Sequence, residues 1–205
     1  KKCFVFKGEF KRANLSLNVR LVEDNFLKLL DVLNTVSGTS IVYVSSRKMA
    51  EQVARFLASN DLSVLYYHAG LTTEERAKRQ SLWINNQVRI IVATNAFGMG
   101  IDKSDVRTVI HFQLPNSLEA YYQEAGRAGR DGEKSYAVLL YNKADISEVI
   151  KRFEDSYPTV ESLLNVYNVL GNYFKLALGS RAVGSFDFNI NEISKNTGVP
   201  LSLSY

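Results

Sequence analysis

The sequence predicts an α/β fold, a mostly parallel sheet with helices on both faces. Three observations predict it. Apolar runs of strand length, such as Ile41-Val-Tyr-Val44 and Val106 to Phe112, are continuous rather than alternating, as in strands buried on both faces. Helical patterns stand between the runs. The runs recur roughly every 20–30 residues, the spacing of parallel strands joined by crossover helices.

Asp24 to Val36 reads as an amphipathic helix ahead of the first of these strands, Ile41 to Val44. Ser45 and Ser46 then offer N-cap oxygens to a helix through Ala58. Val64 to Tyr67 is the next strand. Thr72-Thr-Glu-Glu-Arg opens a helix with acids in its first turn, where the helix dipole favours them. Val88 to Ala93, Val106 to Phe112 and Tyr136 to Tyr141 complete the strand set. Ligands of such sheets bind beyond the carboxyl ends of the strands. Ser45, His68 and Thr94 each follow a strand end and are expected along one rim, although any one of them alone also reads as a loop or capping residue.

The character changes after Tyr141. Asp145 to Asp155 and Val160 to Leu178 are helical patterns separated by Pro158, and Gly179 is expected to end the second. Ser180-Arg-Ala-Val-Gly-Ser reads as a linker. Phe186-Asp-Phe-Asn-Ile alternates like a short strand, and Asn191 caps a further helical start. The expected domains are residues 1–142, 143–179 and 180–205.

With 46% hydrophobic residues among 205, the chain can build a full core. A net charge of +4 suits nucleic acid but does not argue for it alone. The single cysteine, Cys3, excludes an internal disulfide and any zinc site of several cysteines, and His68 and His111 cannot make up the set. No apolar run is long enough for a membrane span, so no membrane partner is expected. The N-terminus is too short and too charged for a signal peptide. An intracellular location is expected, cytoplasmic in a bacterium or nuclear in a eukaryote. Without an initiator Met, the chain is expected to be a piece of something longer.

The segment Tyr121-Tyr-Gln-Glu-Ala-Gly-Arg-Ala-Gly-Arg-Asp-Gly132 carries the most chemistry. Arg127 and Arg130 are interleaved with Gly126, Gly129 and Gly132. Glycines let backbone approach an anion, and guanidinium forks match phosphate oxygens. From the residues alone, a pair of surface arginines bridging to Glu124 and Asp131 is the alternative.

Four segments in order carry a resemblance: Ile41-Val-Tyr-Val-Ser-Ser-Arg47, Tyr67-His-Ala-Gly-Leu71, Val92-Ala-Thr-Asn-Ala-Phe-Gly-Met-Gly-Ile-Asp-Lys-Ser-Asp-Val-Arg107, and the arginine segment extended back to Val109-Ile-His-Phe-Gln-Leu-Pro115. Together they resemble the second RecA-like motor domain of RecQ-type DNA helicases of superfamily 2, from about Phe10 to Tyr141. In Phe10-Lys-Arg-Ala-Asn-Leu15, Lys11 and Ala13 stand where that family usually has an acid and a proline, and Ser104 replaces another usual proline. DEAD-box RNA helicases usually carry His-Arg ahead of the first Gly-Arg; here Gln123-Glu124 follows a tyrosine pair, the RecQ-like form.

The resemblance implies an ATP-dependent DNA helicase acting in DNA repair and recombination, and suggests 3′→5′ movement. Arg130 would be an arginine finger reaching the γ-phosphate of ATP, with Arg127 supporting phosphate binding and Gln123 sensing the γ-phosphate or orienting water. Gly98, Gly100 and Asp102 would face the nucleotide, Asp102 either accepting from ribose hydroxyls, bonding near Arg130, or capping a turn. Ser45, Arg47, Thr94 and Asn95 would contact single-stranded DNA phosphates without reading sequence. His68 would add a contact, or instead tie the strand end to the next helix. His111 is expected to close a strand in the interior. Tyr121 and Tyr122 could stack bases, but one must pack inward. Trp83 is expected in the core or at its rim.

The phosphate-cradling loop and the Mg²⁺-binding acids of a helicase are absent from the sequence, since Gly132-Glu-Lys-Ser135 leads into a strand and does not match that loop. ATP and Mg²⁺ would be held mainly by an upstream RecA-like domain, the expected intramolecular partner beside single-stranded and duplex DNA. RecQ enzymes commonly continue with a four-cysteine zinc platform and a winged helix. Here no zinc is expected; residues 146–178 read as a zinc-free variant packed through Leu163, Leu164, Val166, Tyr167, Leu170 and Phe174, with a winged helix starting near Phe186. The alternative function is a RecA-like module that binds DNA or a partner without hydrolysis.

Overall fold

The structure, a computed structural model, describes residues 12–98, 101–176, 184, 187 and 189–197. The chain divides into two compact units, one ending at Ile146 and the other beginning at Ser147.

The first unit is built on a sheet of β1 (Leu15–Leu21), β2 (Thr39–Tyr43), β3 (Val64–Tyr67), β4 (Ile90–Ala93), β5 (Val106–His111) and β6 (Ser135–Tyr141). The strand order is β1-β6-β5-β2-β4-β3 and every pairing is parallel. The helices are α1 (Asn25–Thr35), α2 (Arg47–Ala58), α3 (Thr73–Ile84) and α4 (Leu118–Ala125). α5 (Lys143–Ser156) spans the boundary, and α6 (Val160–Tyr173) and α7 (Ile190–Thr197) follow it.

Side-chain alternation along the central strands divides the core in two. Val42, Ile90, Val92, Ile110, Val138 and Leu140 pack with Leu29 and Leu33 of α1 and Val53 and Leu57 of α2. Ile41, Tyr43, Ile91, Ala93 and Val109 point the other way, toward Trp83 of α3 and Phe97. Further along that face, Ala137 packs with Tyr121 and Ala125 of α4. Two buried layers explain why these strands read as unbroken apolar runs.

Local chemistry sets the helix starts. Asp24 accepts from the backbone N–H groups of Phe26 and Leu27 at 2.8 and 3.1 Å and caps α1. Ser46 accepts from Met49 at 3.2 Å and caps α2. Thr72 and Glu75 form a reciprocal capping box on α3. Asn142 and Asp145 exchange side-chain to backbone bonds of 2.8 and 3.0 Å across the start of α5.

Four expectations change. β1 is a strand that continuous runs do not reveal. It lies at the sheet edge beside β6, and it alternates, with Ser16, Asn18 and Arg20 between its leucines and valine. The second helical pattern after Tyr141 stops at Tyr173; its expected end at Gly179 lies outside the described residues. Of the six residues expected to pack the helical subdomain, Val166, Leu170 and Phe174 are half-buried, while Leu163, Leu164 and Tyr167 are not covered. The latter three are 51, 56 and 57% exposed and α6 buries none of its residues, because no described element covers its apolar stripe. Finally, Ile190 opens α7 rather than closing a strand, and Asn189 rather than Asn191 supplies the capping oxygen, accepting from Asn191 N–H at 3.0 Å. Phe186 and Phe188 lie outside the described residues.

Trp83 is fully buried, donates from Nε1 to Ser40 O at 3.2 Å, and meets Phe97 edge-on at 5.4 Å. Trp83→Ala is expected to lower stability by about 3–5 kcal/mol, read as a lower urea midpoint with unchanged slope.

Candidate functional site

Register brings the rim together. Tyr43 is level with Ala93 and His111, and Tyr67 with Ala93, so the chain leaves β2, β3, β4 and β5 along one edge. Ser45, Arg47 and Asn95 are exposed there. Ser45 Oγ donates to Gln113 Oε1 at 2.6 Å. Arg47 lies over Gly70: a Cβ built on that glycine would be 3.1 Å from Arg47 Nη1 and 3.2 Å from His68 Nδ1. Thr94 and His68 lie deeper, 9 and 5% exposed. His68 stacks on Tyr66 and approaches Glu51 at 3.4 Å, so it ties the strand end to α2 beneath the open rim.

The arginine segment starts beside that rim, where Glu124 lines a groove with Ser45, Asn95 and Gln113, but does not stay on it. After α4 it drops to the opposite end of β5, where Gly129 N–H donates to Val106 O at 2.8 Å and Asp131 N–H to Ser104 O at 3.3 Å. Its two arginines differ. Arg127 is half-buried; Nη1 donates to Gly98 O at 2.6 Å, and its Nε has no partner. Gly98 has φ +138°, and a Cβ built there would overlap the Arg127 guanidinium. Arg130 faces outward. Its Nη1 donates to Asp102 Oδ1 at 2.7 Å and to Ile101 O at 3.3 Å, and its Asp102 partner is 87% exposed. The bond to Arg130 is one of the expected uses of Asp102. Gln123 is exposed on α4. Gly100 lies outside the described residues.

The aromatic residues divide as their environments require. Tyr121 is buried and Tyr122 is 48% exposed. His111 is 1% exposed at the end of β5, as expected of an interior residue. Tyr43 donates to Phe97 O at 3.1 Å, and burial pushes its phenol well above the ordinary tyrosine value despite the nearby Arg127 guanidinium.

Several residues that hold the site gave no motif signal. Arg12 donates to the carbonyls of Gly126 and Gly129, and Asn14 donates to Gly129 O and Glu133 O at 2.8 and 2.9 Å. Lys103 is buried, with Ile84 O at 3.0 Å and Asn86 Oδ1 and Asp105 Oδ1 at 2.8 Å satisfying its ammonium. Burial works to raise the Asp105 carboxyl, but Lys103 and Asn86 hold it below the usual range. Arg107 pairs with Asp131, just past Arg130, and pulls that carboxyl down in the same way. Apart from Asp105, two residues from Lys103, these partners are distant in sequence. Among the described residues no group of three His, Cys, Asp or Glu side chains could hold a metal ion, and no helix is long and apolar enough to cross a membrane.

Gly98→Ala would strain the backbone and displace Arg127; an expected loss of about 1–3 kcal/mol is checked by urea unfolding. Asp131 contributes through a lowered carboxyl pKa, so its stabilisation is full above the unfolded value of about 3.9 and fades as acid titrates the lower folded value. The urea midpoints of wild type and Asp131→Asn are therefore expected to differ at neutral pH and to converge in acid.

Residues 23–132 match the model of the helicase conserved C-terminal domain. The chain is 45% identical over 141 residues to a protein of Acanthamoeba polyphaga mimivirus named as an ATP-dependent RNA helicase, covering 68% of this chain and 26% of that protein. It is 42% identical over 151 residues to the ATP-dependent DNA helicase RecQ of Bacillus subtilis, covering 73% of this chain and 25% of that one. The crystal structure of a DEAD-box protein from Methanococcus jannaschii matches with a TM-score of 0.60 at 26% identity, over 70% of this chain and 40% of that one. The chain thus spans about a quarter of the length of these curated relatives. The RecA-like sheet and the glycine-bound arginine segment have this ancestry in common: the chain belongs to the helicase conserved C-terminal domain family, with RecQ-type helicases among its homologues at about 40% identity.

Proposed function

We propose that this chain is the second motor domain of an ATP-dependent DNA helicase, contributing an arginine finger and part of the single-stranded DNA track. The observation that carries the reading is the contrast between the arginines. Arg12, Arg107 and Arg127 are engaged with backbone carbonyls or Asp131 inside the domain. Arg130 reaches outward; beside a longer bond to Ile101 O at 3.3 Å, it is held by an acid that is itself almost wholly exposed. An exposed ion pair of this kind is weak, about 0–1 kcal/mol, so Arg130 can be handed to a stronger anion at little cost.

The residues fit ATP. Arg130 offers an exposed guanidinium to an ATP phosphate, and Arg127, seated against Gly98 with its Nε buried, holds the backbone beside it. ATP supplies the phosphoryl bond whose hydrolysis drives movement. Arg130 stabilises negative charge that grows on the γ-phosphoryl oxygens, and Arg127 keeps the surrounding backbone in place. Gln123, on the same segment, orients water or reads the γ-phosphate. The phosphate-binding loop and the Mg²⁺ ligands belong to an upstream RecA-like domain, so the isolated 205 residues are inactive in ATP hydrolysis.

Ser45, Arg47 and Asn95 offer sequence-neutral donors to a sugar-phosphate backbone on the other surface. The relatives include proteins named as DNA and as RNA helicases. The Tyr-Tyr-Gln-Glu form ahead of Gly126 supports DNA.

In the two-domain motor, Arg130→Ala is expected to lower ATP turnover by about 10³–10⁵ while single-stranded DNA affinity stays within about twofold of wild type, because a finger acts in the transition state. Turnover measured against ATP and DNA titrations checks this. Parallel loss of DNA affinity would place Arg130 on the wrong surface.

A further inference from the structure

Glu124 occupies an unfavourable position. It lies in the last turn of α4, at the negative end of the helix dipole, and that turn contains no basic residue. Its side chain is only 15% exposed, yet its carboxylate finds a partner across the fold: Oε2 is 2.9 Å from Nε2 of His111, whose side chain is 2% exposed. A carboxylate only accepts, so Nε2 carries the proton. Nδ1 of the same ring is buried without a protein partner. Tyr43 stacks on the ring at 5.5 Å and 23°, and Tyr121 meets it at 4.9 Å.

A backbone bond runs from Glu124 directly to Arg127. Glu124 O accepts from Arg127 N–H at 3.1 Å, and the Arg127 guanidinium is bound to Gly98 O. With eight residues, α4 is too short to be stable by itself. Tyr121 and Ala125 hold its apolar side against Ala137. The Glu124 carboxylate adds a directional restraint on its rotation about that contact. His111 and Glu124 also line one groove with Ser45, Asn95 and Gln113, so the restraint stands where the rim and the arginine segment meet.

We propose that His111 and Glu124 are a positioning pair: His111, fixed at the rim end of β5, holds Glu124 and so sets the place of Arg127 and Arg130. The proposal rests on the ATP-site reading above. Neither residue touches the reacting atoms; both act through the arginines. Loss of the pair therefore lowers turnover rather than ATP or DNA affinity.

The test uses the two-domain motor with single-stranded DNA. Glu124→Ala is expected to lower kcat for ATP hydrolysis by about 10- to 100-fold, with KM for ATP and DNA affinity within about threefold of wild type. Glu124→Gln retains an oxygen acceptor for the Nε2 proton and is expected to recover kcat to within about fivefold of wild type. Adding His111→Ala to Glu124→Ala is expected to cost little more than either change alone. Wild-type kcat in Glu124→Ala, or equal damage in Glu124→Gln, would overturn the proposal. If Glu124→Ala does not fold, His111→Gln and His111→Asn decide. Gln carries an N–H out to the place of Nε2 and should retain turnover, whereas Asn is too short; equal turnover in the two contradicts the pair. Arg130→Ala is measured beside them. If it collapses kcat and the pair variants do not, only the positioning role fails; if it does not, the ATP-site reading itself fails.

Discussion

The hydrogen bond from Arg127 to the Gly98 carbonyl is the constraint on which the site depends. It joins the loop that leaves β4 to the segment that follows α4, two stretches separated by 29 residues. It forms only because Gly98 has no side chain and tolerates φ +138°. With those stretches joined, Ile101 and Asp102 come within reach of Arg130. Gly129 and Asp131 complete the arrangement by bonding to the amino end of β5. Arg130 therefore stands on a fixed base: the backbone is tied down on both sides of it, while its guanidinium is held at the surface by Asp102 and Ile101 O.

The same sheet separates two surfaces. Strand register lines up the residues that follow β2, β3 and β4, and these form the rim. α4 carries the chain away from that rim to the arginine segment. In the proposed motor, this separation would let the group that meets phosphate and the groups that hold a nucleic acid act at once without competing. The His111–Glu124 bond joins the rim end of β5 to the last turn of α4, the helix that leads into the two arginines.

Much of this was legible in the sequence, for definite reasons. Central strands of a parallel sheet are buried on both faces, so Ile41 to Val44 and Val106 to His111 could be read from hydrophobicity alone. Asp24, Ser46 and Thr72 start helices through local hydrogen bonds that use neighbouring residues, and local signals are what sequence carries best. β1 escaped because an edge strand alternates and its pairing partner, β6, lies more than a hundred residues away. Arg12, Asn14, Lys103 and the His111–Glu124 bond escaped for the same reason: each is ordinary in sequence and is defined only by a distant partner. His68 shows the converse. Its place after a strand left open a contact on the rim or a tie to the next helix, and the fold buries its ring against Tyr66 and beside Glu51 of the preceding helix. The apolar stripe of α6 predicted a helix correctly, but a stripe says nothing of what covers it.

The decisive measurement is the position of Arg130 when a γ-phosphate mimic is present. A structure of the two-domain motor with ADP and beryllium fluoride, beside one without nucleotide, would give it directly. The expected result is that the Arg130 guanidinium leaves Asp102 and bonds to the fluoride group while Arg127 stays on the Gly98 carbonyl. Arg130 remaining on Asp102 with the mimic bound, or Arg127 making the contact in its place, would contradict the assignment of Arg130 as the finger.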